Sequence, residues 1–122
     1  MDALTAVQER IIAFRDERDW AQFHSPRNLA TAIAVEAAEL QETMLWKSDS
    51  EVAALLATSD GKRIIAEEIA DVFIFGLLLC ESAGIDPITA IREKLDEDER
   101  KYPVEAAKGT ATKYTNLRPR NE

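Results

Sequence analysis

Ala66-Glu-Glu-Ile-Ala-Asp-Val-Phe-Ile-Phe-Gly-Leu-Leu-Leu-Cys80 is the stretch on which the fold turns. Its first half carries acids at a three-residue step, Glu68 and Asp71, and its second half, Val72 to Cys80, carries no charge at all. Nine apolar residues are too few for a membrane span, which needs about twenty. A helix that is apolar all round does not belong on the surface of a monomer either. A chain of 122 residues can hardly enclose such a helix completely. The sequence therefore points to a helix shared with a second subunit, most simply about a two-fold axis. The competing arrangement is a central helix wrapped by the rest of the chain.

Outward from this stretch the pattern is helical almost throughout, with no alternating strand signal. The long helix is expected from about Lys62 to Ala83, after a turn at Asp60-Gly61 and before a left-handed cap at Gly84. On its N-terminal side lie a short helix within Ser48 to Ser59, a helix from Leu29 to Trp46, and a first helix from Ala3 to Asp19. Leu4, Val7, Ile11 and Phe14 recur at helical steps in the first helix, and Ser25-Pro26 with Asn28 marks a break and restart. On the C-terminal side Asp86-Pro87 reads as cap and first turn of a last helix that Pro103 stops. The expected architecture is all-α, an antiparallel helical bundle over residues 1–103 completed by dimerisation, with a basic, partly extended tail over 104–122.

Composition narrows the function. Apolar residues make up 46% and charged residues 31%, with four Gly and four Pro, which excludes a disordered or low-complexity chain. A single cysteine in an apolar run excludes a disulfide framework and a cysteine-built zinc site, and suits a reducing compartment. No basic start followed by an apolar block is visible, so a cytoplasmic location is expected. The net charge of −8 repels a nucleic-acid backbone, so neither a nucleic-acid polymer nor a membrane is an expected partner. The tail is locally basic through Lys108, Lys113, Arg118 and Arg120. It can reach an anionic ligand or an interface, or it can be solvated.

Two acidic pairs share one spacing: Glu36 with Glu39, and Glu68 with Asp71. A step of three residues places both members of a pair on one helix face, roughly 60° apart. Glu36 and Glu39 flank the stripe Leu29, Ile33, Leu40 and Met44, and Asp71 directly precedes the apolar run. Ionised carboxylates beside a core lose several kcal/mol of hydration unless something compensates them. One such pair alone is ordinarily a solvated face. Two pairs on apolar helices offer hard oxygen ligands suited to Mg²⁺ or Mn²⁺. A di-iron bundle needs a Glu-x-x-His pair on each of two helices, and the only histidine, His24, lies outside both motifs. Glu67 falls off the shared face and reads as solvated or as a support for a ligand. Open all-oxygen cation sites are typical of enzymes acting on phosphates. With no Gly-rich phosphate loop in the chain, Lys94 and the tail lysines are the candidates for phosphate contacts.

These residues resemble a known family. Glu36-Ala-Ala-Glu-Leu40, Leu45-Trp-Lys47 and Glu68-Ile-Ala-Asp-Val72 look like the MazG-like all-α nucleoside triphosphate pyrophosphohydrolases. Arg18 to Asn28, Lys94 to Pro103 and Lys113 to Leu117 look like their dCTP pyrophosphatase group. The resemblance implies hydrolysis of (deoxy)nucleoside triphosphates to the monophosphate and pyrophosphate, with Mg²⁺ held by Glu36, Glu39, Glu68 and Asp71. It implies homodimers, commonly paired into homotetramers, with base pockets at subunit interfaces lined by Trp20, His24 and Trp46. It gives Lys94 to the substrate phosphates.

The chain departs from that group at three positions. Phe75 stands where the dCTP-hydrolysing relatives carry Tyr, Ile11 where they carry a histidine that touches the substrate, and Asp98 where they carry Asn. The metal chemistry is untouched by these changes. Base and sugar selectivity are not, so general dNTP hydrolysis with a pyrimidine bias is the expectation, in a role of clearing the nucleotide pool. Two alternatives stay open: the same bundle acting on dUTP or another nucleotide, and a non-catalytic oligomerising bundle with a structural cation.

Overall fold

Every one of the first five helices opens on a short polar residue whose side chain accepts a hydrogen bond from the backbone three residues on. Asp2 takes Thr5 N–H at 2.8 Å and starts α1, Ala3–Glu17. Ser25 takes Asn28 N–H at 3.2 Å and starts α2, Pro26–Glu42. Ser48 and Glu51 form a reciprocal capping box at the head of α3, Asp49–Leu56. Thr58 takes Gly61 N–H at 3.0 Å and starts α4, Ser59–Ala83. Asp86 takes Thr89 N–H at 2.9 Å and starts α5, Pro87–Lys101. Each such cap satisfies an amide that the helix itself leaves unpaired and stabilises the helix by about 1 kcal/mol. A four-residue helix, α6 (Val104–Ala107), and a single 3₁₀ turn (Tyr114–Asn116) follow.

The computed structural model describes residues 1–117, and among the described residues the chain is helical with no strand. The tail residues Arg118 and Arg120 of the sequence reading lie outside them. Two compact units divide the chain, one over Met1–Ile85 and the other from Asp86 on. By internal contacts α5 groups with the segment that follows it.

In the first unit α2 packs along α4, and α1 and α3 lean on α4. The α2–α4 register is antiparallel. His24, just ahead of α2, meets Phe75, while Glu36 and Glu39 farther along α2 meet Glu68. α1 runs in the sense of α4: Gln8 Nε2 donates to the Leu77 carbonyl at 3.1 Å, and Arg15 Nη1 pairs with Glu81 Oε2 at 2.5 Å. Among the described residues Leu29, Ile65 and Leu78 are the buried large apolar side chains. In the second unit the Tyr102 hydroxyl accepts the Tyr114 N–H at 3.2 Å, and the two rings meet edge to face at 6.0 Å. Lys101 Nζ lies over the Tyr114 ring at 4.7 Å.

Three details differ from the sequence expectation. Asp60-Gly61 is not a turn before the long helix but its first turn, because Thr58 supplies the cap one step earlier. α2 ends at Glu42 rather than at Trp46. The chain after it coils through a turn that leaves Trp46 in the left-handed region at φ 65°. The tail, expected to be partly extended, opens with the four-residue helix α6.

Gly84 holds φ 69° and closes α4 as expected. Gly61 serves another purpose. A Cβ there would overlap the Leu55 carbonyl oxygen and crowd the Leu55 side chain and the Thr58 hydroxyl at 2.7 and 2.8 Å. Gly61→Ala is expected to push α3 off α4 and cost about 2 kcal/mol, read as a melting point lower by roughly 5–10 °C. An unchanged melting curve by circular dichroism would remove this contact from the account.

Candidate metal centre

The antiparallel register of α2 and α4 turns two local spacings into one cluster. Glu36, Glu39 and Glu68 each present a carboxylate oxygen, and these oxygens all lie within 4.8 Å of one another. Glu36 and Glu68 are half-buried and Glu39 is exposed. Asp71, the fourth acid of the sequence reading, lies outside this group of three but acts on it through its charge. Glu67 pairs with Arg63 at 3.1 Å on the solvent side, which settles it as a solvated residue.

The electrostatics of the cluster are unfavourable as it stands. Glu36 is pushed up to about 7, first by loss of hydration, then by the adjoining Glu39, and then by the charges of Asp71 and Glu68. Glu68 is raised for the same leading reason, followed by Glu39 and Asp71. Glu36 Oε2 and Glu68 Oε2 are buried and have no hydrogen-bond donor. Buried acceptors without a partner are uncommon because each forfeits its hydration for nothing. A hard divalent cation supplies both what these oxygens lack and the opposite charge, and three carboxylates of mixed exposure leave it positions open to other ligands. The donor set fits Mg²⁺ or Mn²⁺ and offers no nitrogen or sulfur to a softer metal.

The remaining residues of the sequence reading are distributed as follows. His24 stacks its edge on Phe75, with centroids 6.4 Å apart, and its Nδ1 is buried without a partner. Asn28 Nδ2 donates to the Phe23 carbonyl at 3.1 Å and fixes the loop to the start of α2. Trp20 packs edge-to-face with Phe14 at 5.7 Å, and the Arg18 guanidinium lies 3.7 Å from the centre of the Phe14 ring. Trp46 is 92% exposed and has no ring partner among the described residues. Lys94 and Asp98 lie on α5 in the second unit, paired with each other at 3.1 Å.

One feature escaped the sequence reading. Val7, Ile11 and Phe14 of α1 do not seal against α4. With Ala70, Phe73, Ile74 and Leu77 they line an apolar cavity of about 480 Å³, with Arg10 at its edge. The helical stripe was legible, but periodicity cannot tell a stripe that meets its own chain from one left open.

A family model described as the MazG-like family matches residues 31–117, a span that takes in both acidic pairs. This chain belongs to the MazG-like family. Among its MazG-like relatives is dCTP pyrophosphatase 1 of Rattus norvegicus, 39% identical over 104 residues. The same-named protein of Homo sapiens is 38% identical over 104 residues. These matches take in 85% of this chain and 61% of each relative, so the chain spans about three-fifths of their length. The crystal structure of a pyrophosphatase from Archaeoglobus fulgidus is similar at TM-score 0.77 and 40% identity, over 84% of this chain and 94% of that one. The Trp20–His24 loop lies ahead of the MazG-like match, whereas Trp46 and Phe75 fall within it.

The raised carboxyls give a pH dependence whose sign is fixed. An acid whose folded pKa exceeds its ordinary value of 4.5 favours the folded state while protonated and loses that contribution as pH climbs through the folded value. The metal-free protein is therefore expected to melt progressively lower from pH 5 to pH 8. The caps Asp2 and Asp86, held below the ordinary range by their threonine partners, act only in more acid solution. Millimolar Mg²⁺ or Mn²⁺ should restore the loss at pH 8, and Glu36→Gln should flatten the slope. A melting point that rises from pH 5 to 8 without metal would contradict the clustering.

Proposed function

We propose that this MazG-like chain is a divalent-cation-dependent nucleoside triphosphate pyrophosphohydrolase that cuts (deoxy)nucleoside triphosphates to the monophosphate and pyrophosphate. The observation that carries the reading is the meeting of Glu36, Glu39 and Glu68 at the α2–α4 seam, with two buried oxygens that have no donor. The similarity to proteins named dCTP pyrophosphatase 1 and to a solved pyrophosphatase supports the reaction class.

In this reading Glu36, Glu39 and Glu68, with Asp71 completing the set, hold Mg²⁺ or Mn²⁺. The cation neutralises phosphate oxygens and lowers the pKa of a water when bound. The chain's own residues do the rest. A carboxylate of the cluster, or a neighbour of it, takes a proton from the attacking water. Lys94 gives its ammonium to the phosphates. Trp20, His24, Trp46 and Phe75 line the base pocket. Phe75 and Ile11 supply carbon where a hydroxyl or a ring nitrogen would discriminate, so several pyrimidine nucleotides fit, dCTP or modified dCTP among them.

The enzyme works as a homodimer or homotetramer. The open apolar cavity between α1 and α4 and the exposure of Phe73, at 66%, leave an apolar face that a second copy would cover. Trp46, on a left-handed backbone, is 92% exposed and has no ring partner among the described residues. Its place in a pocket is completed by a second copy. Clearing unwanted nucleotides from the cytoplasmic pool is the role this activity serves.

Pyrophosphate release from a panel of dNTPs with Mg²⁺ tests the proposal, and the absence of turnover with every triphosphate ends it. Glu39→Gln should lower kcat by roughly a hundredfold or more, because a ligand to the cation is lost, while light scattering shows the same oligomer. Full activity in that variant would displace the cluster from catalysis. Trp46→Ala should raise KM about tenfold through the lost stacking of a base on the indole, with little change in melting point. A wild-type KM in that variant would remove Trp46 from the pocket.

A further inference from the structure

Lys94 and Asp98 lie one turn apart on α5, with Lys94 Nζ 3.1 Å from Asp98 Oδ1 and 3.8 Å from Glu97 Oε2. Glu97 is shared: its other oxygen takes Lys101 at 2.7 Å, and Lys101 in turn rests over the Tyr114 ring. Lys101 is therefore committed on two sides. Glu97, held below the ordinary carboxylate range first by Lys101 and then by Lys94, is committed chiefly to Lys101. This leaves Asp98 as the closest partner of Lys94, an ammonium that stays 58% exposed.

An exposed lysine is a point charge with three rotatable donors, and it exchanges partners readily. An i,i+4 pair in water is weak enough to open for a polyanion. A triphosphate that takes Lys94 competes with Asp98 for its ammonium, and the carboxylate stays within a Debye length of the incoming phosphates. We propose that Asp98 is a built-in competitor of the triphosphate for Lys94 and so sets the affinity for substrate without touching the reacting atoms. The inference rests on the hydrolase reading and on the part of Lys94 in it. Asp98 is a positioning residue that acts through Lys94. Its effect belongs to binding that is equal in the ground state and the transition state, which moves KM and spares kcat.

Steady-state pyrophosphate release by the full chain, with one dNTP and Mg²⁺ at low and high ionic strength, tests this on Asp98→Asn, Lys94→Ala and the double variant. Asp98→Asn is expected to lower KM about two- to fivefold, the range for an exposed ion pair. The change in kcat should be far smaller, and the difference in KM should shrink at high salt. Lys94→Ala should raise KM about tenfold, as loss of a charge-assisted contact does. In the Lys94→Ala background Asp98→Asn should leave KM nearly still, which a merely structural role for Asp98 would not produce. Should Asp98→Asn leave KM unchanged or raise it while Lys94→Ala raises it, the competitor is overturned and Lys94 keeps its phosphates. A wild-type KM in Lys94→Ala overturns both assignments. A wild-type chain inert toward every triphosphate overturns the hydrolase reading itself, and with it this inference.

Discussion

Repulsion among carboxylates at the seam of α2 and α4 is the constraint to which the rest of the first unit answers. Glu36, Glu39 and Glu68 stand close enough to share one cation, and Asp71 adds its charge from the next turn. Nothing in the vicinity donates a hydrogen bond to two of the oxygens. The helices are held together against this by the apolar side of the same seam. Leu29 of α2 and Ile65 and Leu78 of α4 are buried, each contributing about 1.5–3 kcal/mol. A strong apolar contact and a strained polar one therefore occupy adjacent faces of the same pair of helices. Such strain is the mark of a site shaped for a ligand of opposite charge.

Placing the acids on helices rather than loops has a mechanical advantage. Their positions follow from the register of α2 on α4, and that register is anchored at its ends. The Ser25 and Thr58 caps fix where each helix begins, Gly61 lets α3 close against α4, and Gly84 ends α4 on a left-handed residue. Gln8 and Arg15 then tie α1 across the far end of α4. A cation site built on elements so fixed needs little rearrangement to load.

Much of this was legible from the residues alone. Helical periodicity, the Asp86-Pro87 start and the Gly84 stop all read correctly because each depends on local backbone chemistry. The meeting of Glu36 and Glu39 with Glu68 was legible for a different reason: two equal spacings beside apolar stripes leave few ways to pack. What the sequence hid was whatever depends on neighbours. The Asp60-Gly61 pair looked like a turn because Gly and Asp favour turns, yet Thr58 captured the Gly61 amide and made it helix. The end of α2 was misplaced by four residues because Thr43 to Trp46 continue the apolar rhythm while leaving helical geometry at Trp46. Asp98 and Lys94 were readable as neighbours, but the commitment of Lys101 to Glu97 and Tyr114, which isolates them as a pair, was not.

The setting of Trp46 also makes the molecule its own optical reporter. Of the two indoles, Trp20 lies edge-on against Phe14, whereas Trp46 is exposed within a single copy of the chain. The emission of the chain is thus weighted toward the red of a hydrated indole. Any aromatic surface that comes to rest on Trp46 shifts that light to the blue or quenches it, and occupancy can be followed without a label.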